Sequence, residues 1–448
     1  MKPAVVYTAR WLLPVDAPPI PDGEIIVEDG VILEVRPRRT PASECRDYGD
    51  AVLLPGLVNA HTHLEYTVLR GFLEDIPFFP WVRALTAAKT SLQTDDWLWS
   101  ARLGALECMR GGITTVGDNT DAGVTMAVLS ESGLRGIAFQ ELFGIDNREP
   151  VAPIMTALRR KITMHRRLES ERVRVGVSPH ALYTIRPELF QAIDAYVRTE
   201  SLPTSIHIAE SPAESFLTMR GEGPFAEMFE RRGIAWDCPH LTPTAYAFSQ
   251  GALTARTLAV HCVHQSVEDT VMLAASGAAV IHCPKSNAKL GAGVAPLARW
   301  LRTDGLRIGL GTDSAVSNNA QDLWEEMRFA LLLQRAAHED VQSVTAAQIL
   351  RLATLGGAEA MGLSERTGSL SPGKRADFIA VRLDSPHVFP SADPCAALVY
   401  SARADDVLLT VCDGEVLYEA GVWPTLEANA IMQEVKAARG RFGDNTRQ

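Results

Sequence analysis

Two histidines spaced two apart, His61 and His63, close the apolar run LLPGLVNAHTH. In a strand, side chains at i and i+2 project to one face, so both imidazoles can reach a single ion. His207, in SIHIAE, and Asp313, in RIGLGTD, end two further apolar runs. Together the four offer three nitrogens and one oxygen with room for a water. That is the donor set of a catalytic divalent-metal site rather than of a closed structural one, and it suits one Zn(II) or Fe(II) per chain. A cation so held lowers the pKa of bound water towards neutrality, which is the chemistry of hydrolysis. The competing reading, a polar interior satisfied by its own hydrogen bonds, requires all four residues to coincide by chance.

Such residues converge only if the elements that carry them are neighbours. The middle of the chain reads as strand followed by helix, and eight strands can be counted: LLPGLVNAHTH, GITTVGDN, GIAFQELFG, VRVGVSPH, SIHIAE, TLAVHCVH, AAVIHCPKSN and RIGLGTD. Their apolar runs are continuous, as expected of parallel strands covered on both faces. Helical stretches lie between them, for instance TDDWLWSARLGALECMRGG, with Thr94 as N-cap and Gly111 past the end. Eight βα repeats predict an α/β fold, a (β/α)8 TIM-like barrel over residues 55–365, with its site at the C-terminal strand ends. The rival doubly wound sheet has no GxGxxG or Walker loop to support it. Residues 1–54 and 366–448 instead alternate apolar and polar positions in short pieces broken by Gly and Pro. They predict one accessory β-sandwich built from both chain ends, with ANAIMQEVKAARGRF as a terminal helix.

The expected strand ends carry His61, Thr62 and His63; Asp118 and Asn119; Glu141; His180; His207 and Glu210; His261 and His264; His282 and Lys285; and Asp313. Seven of the 11 histidines fall on these ends, which leaves His165, His240, His338 and His387 elsewhere and marks one end of the barrel as the chemical one. Composition limits the partners. Of 448 residues 46% are hydrophobic and 22% charged, as in a globular protein, and a net charge of -11 opposes attraction to nucleic acid or an anionic membrane. Seven Cys without a CxxC pair read as reduced thiols, and neither a signal-peptide pattern nor 18 uninterrupted apolar residues occur, so a cytoplasmic location is expected. A small-molecule substrate is the expected partner, and a homo-oligomer is compatible with this composition.

PGLVNAHTH, HIAE, AVHCVH and LGTDSAVSNN together resemble the amidohydrolase superfamily, in its deaminase and chlorohydrolase branch, over nearly the whole chain. GSLSPGKRADFIAV is similar to that family's C-terminal return into the accessory domain. The resemblance implies a metal on His61, His63, His207 and Asp313, with proton handling at Glu210 and polarisation of water by His261. Asp313 would also take a proton from water. No Lys closes strand four, VGVSPH, which disfavours a binuclear centre bridged by a carbamylated Lys. The other reading of Glu210 is a charge at a helix N-terminus. His264, at an odd offset from His261, is expected to face outwards or support a neighbour.

The activity implied is removal of ammonia from an aminated heterocycle, first of all a 6-aminopurine nucleoside. Deamination of methylthioadenosine, S-adenosylhomocysteine or adenosine, guanine deamination and chlorohydrolysis are the alternatives. HTHLE is similar to the variant in aminodeoxyfutalosine deaminases of menaquinone biosynthesis. There Glu65, on the face of His63 if the strand continues, would accept hydrogen bonds from ribose; turned away, it would pair with Arg70. Trp81, in RGFLEDIPFFPWV, is implied to cap or stack on the purine, or else packs in the core, and His180 is implied to contact the heterocycle. Arg148, in FGIDNREP, and Lys285 are the expected cations for an anionic 5′ group, or else plain charges of the surface. A noncatalytic scaffold of the same fold would have lost ligands, and none is missing.

Overall fold

Gly56 joins two strands that belong to different sheets, and a Cβ there would stand 2.2 Å from the side chain of Thr114, so only glycine fits the junction. The computed structural model describes residues 3–445 except Asn147. The chain opens with β1 (Val5–Leu12), β2 (Ile20–Glu28), β3 (Val31–Pro37), β4 (Arg46–Asp47) and β5 (Ala51–Pro55). The barrel strands follow: β6 (Leu57–His63), β7 (Ile113–Thr120), β8 (Arg135–Leu142), β9 (Val173–Pro179), β10 (Thr204–Ile208), β11 (Thr257–His261), β12 (Ala279–His282), β13 (Arg307–Leu310) and β14 (Asp313–Ser314). The chain closes with β15 (Phe378–Arg382), β16 (Val407–Cys412), β17 (Glu415–Glu419) and a helix over Ala428–Asn445.

The barrel sheet runs β13-β12-β11-β10-β9-β8-β7-β6-β14, parallel throughout. β13 and β14 are two pieces of the eighth strand. β14 pairs with β6, Asp313 opposite Thr62 and Ser314 opposite His63, and so closes the ring. The expected first strand divides: Leu53 to Pro55 belong to β5 of the other sheet, and the barrel begins after Gly56. The helix over Thr94–Arg110 has Gln93 rather than Thr94 as its N-cap, with Asp96 completing a capping box, and Gly111 as its C-cap.

The two chain ends build one continuous eight-stranded sheet, ordered β17-β16-β15-β5-β1-β2-β3 with β4 beside β1. Its central strands are buried on both faces. Leu53, Phe378, Ala380, Leu409 and Val411 point into the sheet's own core with Tyr7, Leu12 and Ile25. Their neighbours Val52, Leu54, Ile379, Val381 and Cys412 join the main core shared with the barrel's helices. Period-two alternation thus serves two cores at once. At the N-terminal end of β8 the buried Arg135 bonds Asp377 through Nε at 2.6 Å and Asp413 at 3.2 Å, tying barrel to accessory sheet. No helix among the described residues is long and apolar enough to cross a membrane.

Candidate active site

β6 carries its histidines past a register irregularity between Asn59 and Thr62. Val58 and Ala60 pack in an apolar cluster with residues of β8, β11 and β12, and His61 within the irregularity and His63 beyond it carry the imidazoles. An irregularity of this kind re-aims side chains at a functional end. His61 Nε2 stands 3.4 Å and His63 Nε2 3.5 Å from the same oxygen, Asp313 Oδ1. The other oxygen, Oδ2, accepts from Ser286 Oγ at 2.6 Å and Ser317 Oγ at 2.7 Å, which leaves Oδ1 for a ligand. Burial alone would raise the carboxyl pKa of Asp313, but the imidazoles of His61, His261 and His63 around it outweigh that and hold the group well below its ordinary value.

His207 comes in from β10, its ring centroid 5.0 Å from that of His61 and 5.8 Å from that of His63. Its Nδ1 lies 2.8 Å from the carbonyl of His180. A carbonyl only accepts, so Nδ1 carries the proton and Nε2 is bare, the tautomer a metal ligand requires. Burial first, then the charge of His261, lowers the pKa of His207 to about 4, so the imidazole is neutral. His61 is fully buried, yet neither of its ring nitrogens has a hydrogen-bond partner, nor does Nδ1 of His63. Buried polar atoms are rarely left unpaired. Orphaned nitrogens beside an ionised carboxylate fit a divalent ion: His61, His63 and Asp313 form one triad able to hold it, and His207 joins His61 in a second triad with His261.

Glu210 follows β10, and its Oε1 lies 3.7 Å from His261 Nε2. Burial, with the charge of Asp313 second, pushes its pKa up to about 8, so it keeps its proton at neutrality. His261 Nδ1 is 2.9 Å from Asn287 Oδ1, an acceptor, which turns a bare Nε2 towards the site. The backbone here is unusual: Ala209 (φ 52°), His261 (φ 70°), Cys262 (φ 49°) and Asp313 (φ 59°) are all left-handed. Non-glycine residues pay for that conformation, and such strain collects where side chains must be aimed.

The cluster lies in a cavity of about 1080 Å³ lined by His63, Trp81, His180, His207, Glu210, His261 and Asp313 among others. Phe78, Phe79, Phe143, Tyr183 and Phe225 supply aromatic wall. The ring of His180 stands 4.7 Å from both Phe143 and His207, and its Nδ1 lies 3.1 Å from Thr184 Oγ1. His264 supports a neighbour, its Nε2 2.7 Å from the carbonyl of Ala292.

Three expected substrate contacts lie outside the cavity lining. β6 stops at His63 and the chain turns into a 3-10 helix, Leu64–Leu69, so the strand period that would aim Glu65 inwards is lost. Its carboxylate accepts instead from Thr120 Oγ1 at 2.6 Å and from the amides of Asp121 at 2.8 Å and Ala122 at 3.2 Å, pinning the loop after β7. Arg70 does not meet it; it pairs with Glu107. Arg148 is 74% exposed and paired with Asp146, and Lys285 is paired with Glu325. The cations that do line the cavity are Lys89, Arg83, Arg231 and Arg232. Sequence reasoning gave no role to Asn287, although it stands in the quoted AAVIHCPKSN, nor to Glu141, although it lies near the end of the third strand.

Comparison with known proteins agrees with this geometry. Residues 52–417 match the Amidohydrolase family. The chain is 33% identical over 414 residues, 92% of its length and 94% of the other, to a 5-methylthioadenosine/S-adenosylhomocysteine deaminase of Pyrococcus furiosus. It is 33% identical over 427 residues, 94% of its length and 95% of the other, to a 5'-deoxyadenosine deaminase of Methanothermobacter thermautotrophicus. Among solved structures it superposes on an adenosine deaminase from Xanthomonas campestris with bound zinc, with a TM-score of 0.85, 26% identity and 98% of each chain covered.

Proposed function

The chain belongs to the amidohydrolase family, a family of metal-dependent hydrolases, and from that premise we propose that it deaminates a 6-aminopurine nucleoside. The observation that carries the reading is the meeting of the ion-ready cluster with a protonated carboxyl, Glu210, inside an aromatic-walled cavity. The relatives named for adenosine-type nucleosides support the substrate class, and the zinc of the Xanthomonas campestris protein supports Zn(II), with Fe(II) as the alternative.

His61, His63, His207 and Asp313 would hold the ion, which when bound lowers the pKa of water and makes it a nucleophile near neutral pH. The chain's own residues handle the remaining protons. Glu210 gives its proton to the ring nitrogen as water adds to the adjacent carbon, because a neutral ring is a poor electrophile without it. Asp313 accepts a proton from the attacking water and passes it to the departing amine, while the hydroxyl proton of the adduct returns to Glu210 as the carbonyl forms. His261, held by Asn287 with Nε2 bare, accepts a hydrogen bond at the point of attack and orients the water. Trp81 and His180 would frame the heterocycle and exclude solvent.

For the 5′ side we infer a carboxylated aromatic group, as in aminodeoxyfutalosine, an intermediate of menaquinone biosynthesis. A cavity of about 1080 Å³ is far larger than an adenine nucleoside needs, its wall is aromatic, and Arg83, Arg231 and Arg232 lie on its lining. These replace Arg148 and Lys285 as candidates for an anion. The test is the ratio of kcat/KM for aminodeoxyfutalosine to that for methylthioadenosine. We expect a high ratio that falls about ten- to a hundredfold on Arg231→Ala or Arg232→Ala, the worth of a charge-assisted hydrogen bond. A ratio near one removes the carboxylate and favours the methylthioadenosine and S-adenosylhomocysteine reading that the relatives carry. Absence of ammonia release from every 6-aminopurine nucleoside removes the reaction.

A further inference from the structure

One acidic side chain in the cavity has no task in the reaction as derived. Glu141, the penultimate residue of β8, is 3% exposed and lines the cavity, yet its Oε1 has no hydrogen-bond partner. No ion pair reaches it among the described residues. The nearby cation Lys89 is spent on Asp121 Oδ2 and Tyr66 Oη, each at 2.7 Å. A carboxyl oxygen buried without a donor costs free energy unless a ligand supplies one.

Its position says which part of a ligand. One carboxyl oxygen of Glu141 and one ring nitrogen each of His63 and His207 lie within 4.8 Å of one another, so Glu141 borders the ion-ready cluster. Glu210 borders it elsewhere, beside His261. Two carboxyls therefore flank the place where the reacting carbon must sit. In a 6-aminopurine that carbon bears two nitrogens: the ring nitrogen, an acceptor that Glu210 protonates, and the exocyclic amine, which has only N–H groups to offer in the ring plane. The amine needs an acceptor, and Oε1 of Glu141 is an oxygen without a donor, while Asn119 hydrogen-bonds the same carboxyl group. The sugar and the imidazole edge of the purine lie further from the reacting carbon and do not compete for this position.

Resting on the deaminase reading, we propose that Glu141 determines specificity for the leaving group: its carboxyl accepts an N–H of the exocyclic amine and selects an amine over groups without that hydrogen. A site that satisfies a substrate N–H in this way rejects analogues that lack it, because the buried acceptor is then left unpaired.

The test compares kcat/KM for a 6-aminopurine nucleoside and the 6-chloropurine nucleoside with the same 5′ group, in the metal-loaded wild type and in Glu141→Met and Glu141→Gln, with metal content measured alongside. The expected result is an amino-to-chloro ratio that falls about ten- to a hundredfold in the Met variant and less in the Gln variant, whose amide oxygen still accepts, with metal content unchanged. The near-isosteric Gln variant keeps the comparison if the Met variant does not fold. An unchanged ratio, or equal losses on both substrates, overturns the proposal. Loss of metal from both variants also overturns it and makes Glu141 a ligand. Equilibrium binding in a Glu210→Gln background separates this from the reaction itself: a 6-aminopurine nucleoside should bind more tightly than its 6-methyl counterpart, and Glu141→Met should erase the difference. If no aminopurine is deaminated but that preference is present, the function proposed above fails while the role of Glu141 stands; without the preference, Glu141 fails.

Discussion

Asp313 pairs in register with Thr62, a residue 251 positions away, across the seam where the barrel closes. The carboxyl from the last strand is thereby set against His61 and His63 from the first. An ion held by these residues would clamp the seam and, by binding only the closed barrel, would stabilise the fold by mass action.

Chelation should therefore lower the melting temperature by several degrees, corresponding to roughly 4 kcal/mol for an ion at a thousandfold its Kd, and readdition of one equivalent of Zn(II) should restore it. Elemental analysis should find one metal per chain, and Asp313→Asn should lower occupancy and turnover together. Two metals per chain, or a melting temperature indifferent to chelation, contradicts the assignment.

Glu210→Gln should keep its metal and lose about 10²- to 10⁴-fold in kcat, since an amide fills the same volume but delivers no proton. The pH profile gives an independent check. Burial and the charge of Asp313 raise the carboxyl to about 8, and the protonated form is the donor, so wild-type kcat/KM should hold through neutrality and fall as pH rises past about 8. A Gln variant with more than about a tenth of the wild-type rate removes the proton-transfer role.

Asn287→Ala tests the orientation of His261. Without the acceptor at 2.9 Å from Nδ1, the imidazole can take the other tautomer and turn Nε2–H towards the site. Loss of such an orienting partner typically costs 10- to 100-fold. We expect that loss in kcat with metal content intact; stopped turnover with metal gone would make Asn287 a support of the cluster instead.

The barrel and the donor set were legible because both rest on local pattern: continuous apolar runs, and polar residues at their last positions. What was not legible lies where the pattern stops. The period of β6, extended two residues beyond His63, aims Glu65 at the substrate, but a 3-10 helix begins there. Arg148 and Lys285 carry the charge an anion needs, yet Asp146, close in sequence, neutralises the first and Glu325, distant in sequence, the second, and nothing in a single sequence announces such pairings. Arg231 and Arg232 end a helix, Pro224–Arg232, whose approach to the cavity depends on tertiary packing. His261 reaches the site through left-handed backbone, a conformation that its residue type gives no reason to expect.

The accessory sheet makes its own prediction. Glu24 on β2 is fully buried; its Oε1 accepts from Arg36 Nε at 2.7 Å, and its Oε2 accepts from the amides of Arg39 at 3.1 Å and Thr40 at 3.0 Å. Burial by itself would raise its pKa, but Arg36 and the two amides outweigh that and hold it at about 2, against an ordinary 4.5. A carboxyl depressed in the folded state favours folding above its unfolded pKa and loses that contribution as pH falls through its folded one. The contribution, roughly 3 kcal/mol from the size of the shift, is thus present at pH 7 and lost between about 4.5 and 2. Glu24→Gln should lower the melting temperature at pH 7 and narrow its gap to wild type as the solution is acidified to pH 3, while the metal site, in the other sheet, keeps its ion at pH 7. A gap that stays constant between pH 7 and pH 3 means that Glu24 contributes shape rather than charge to the sheet.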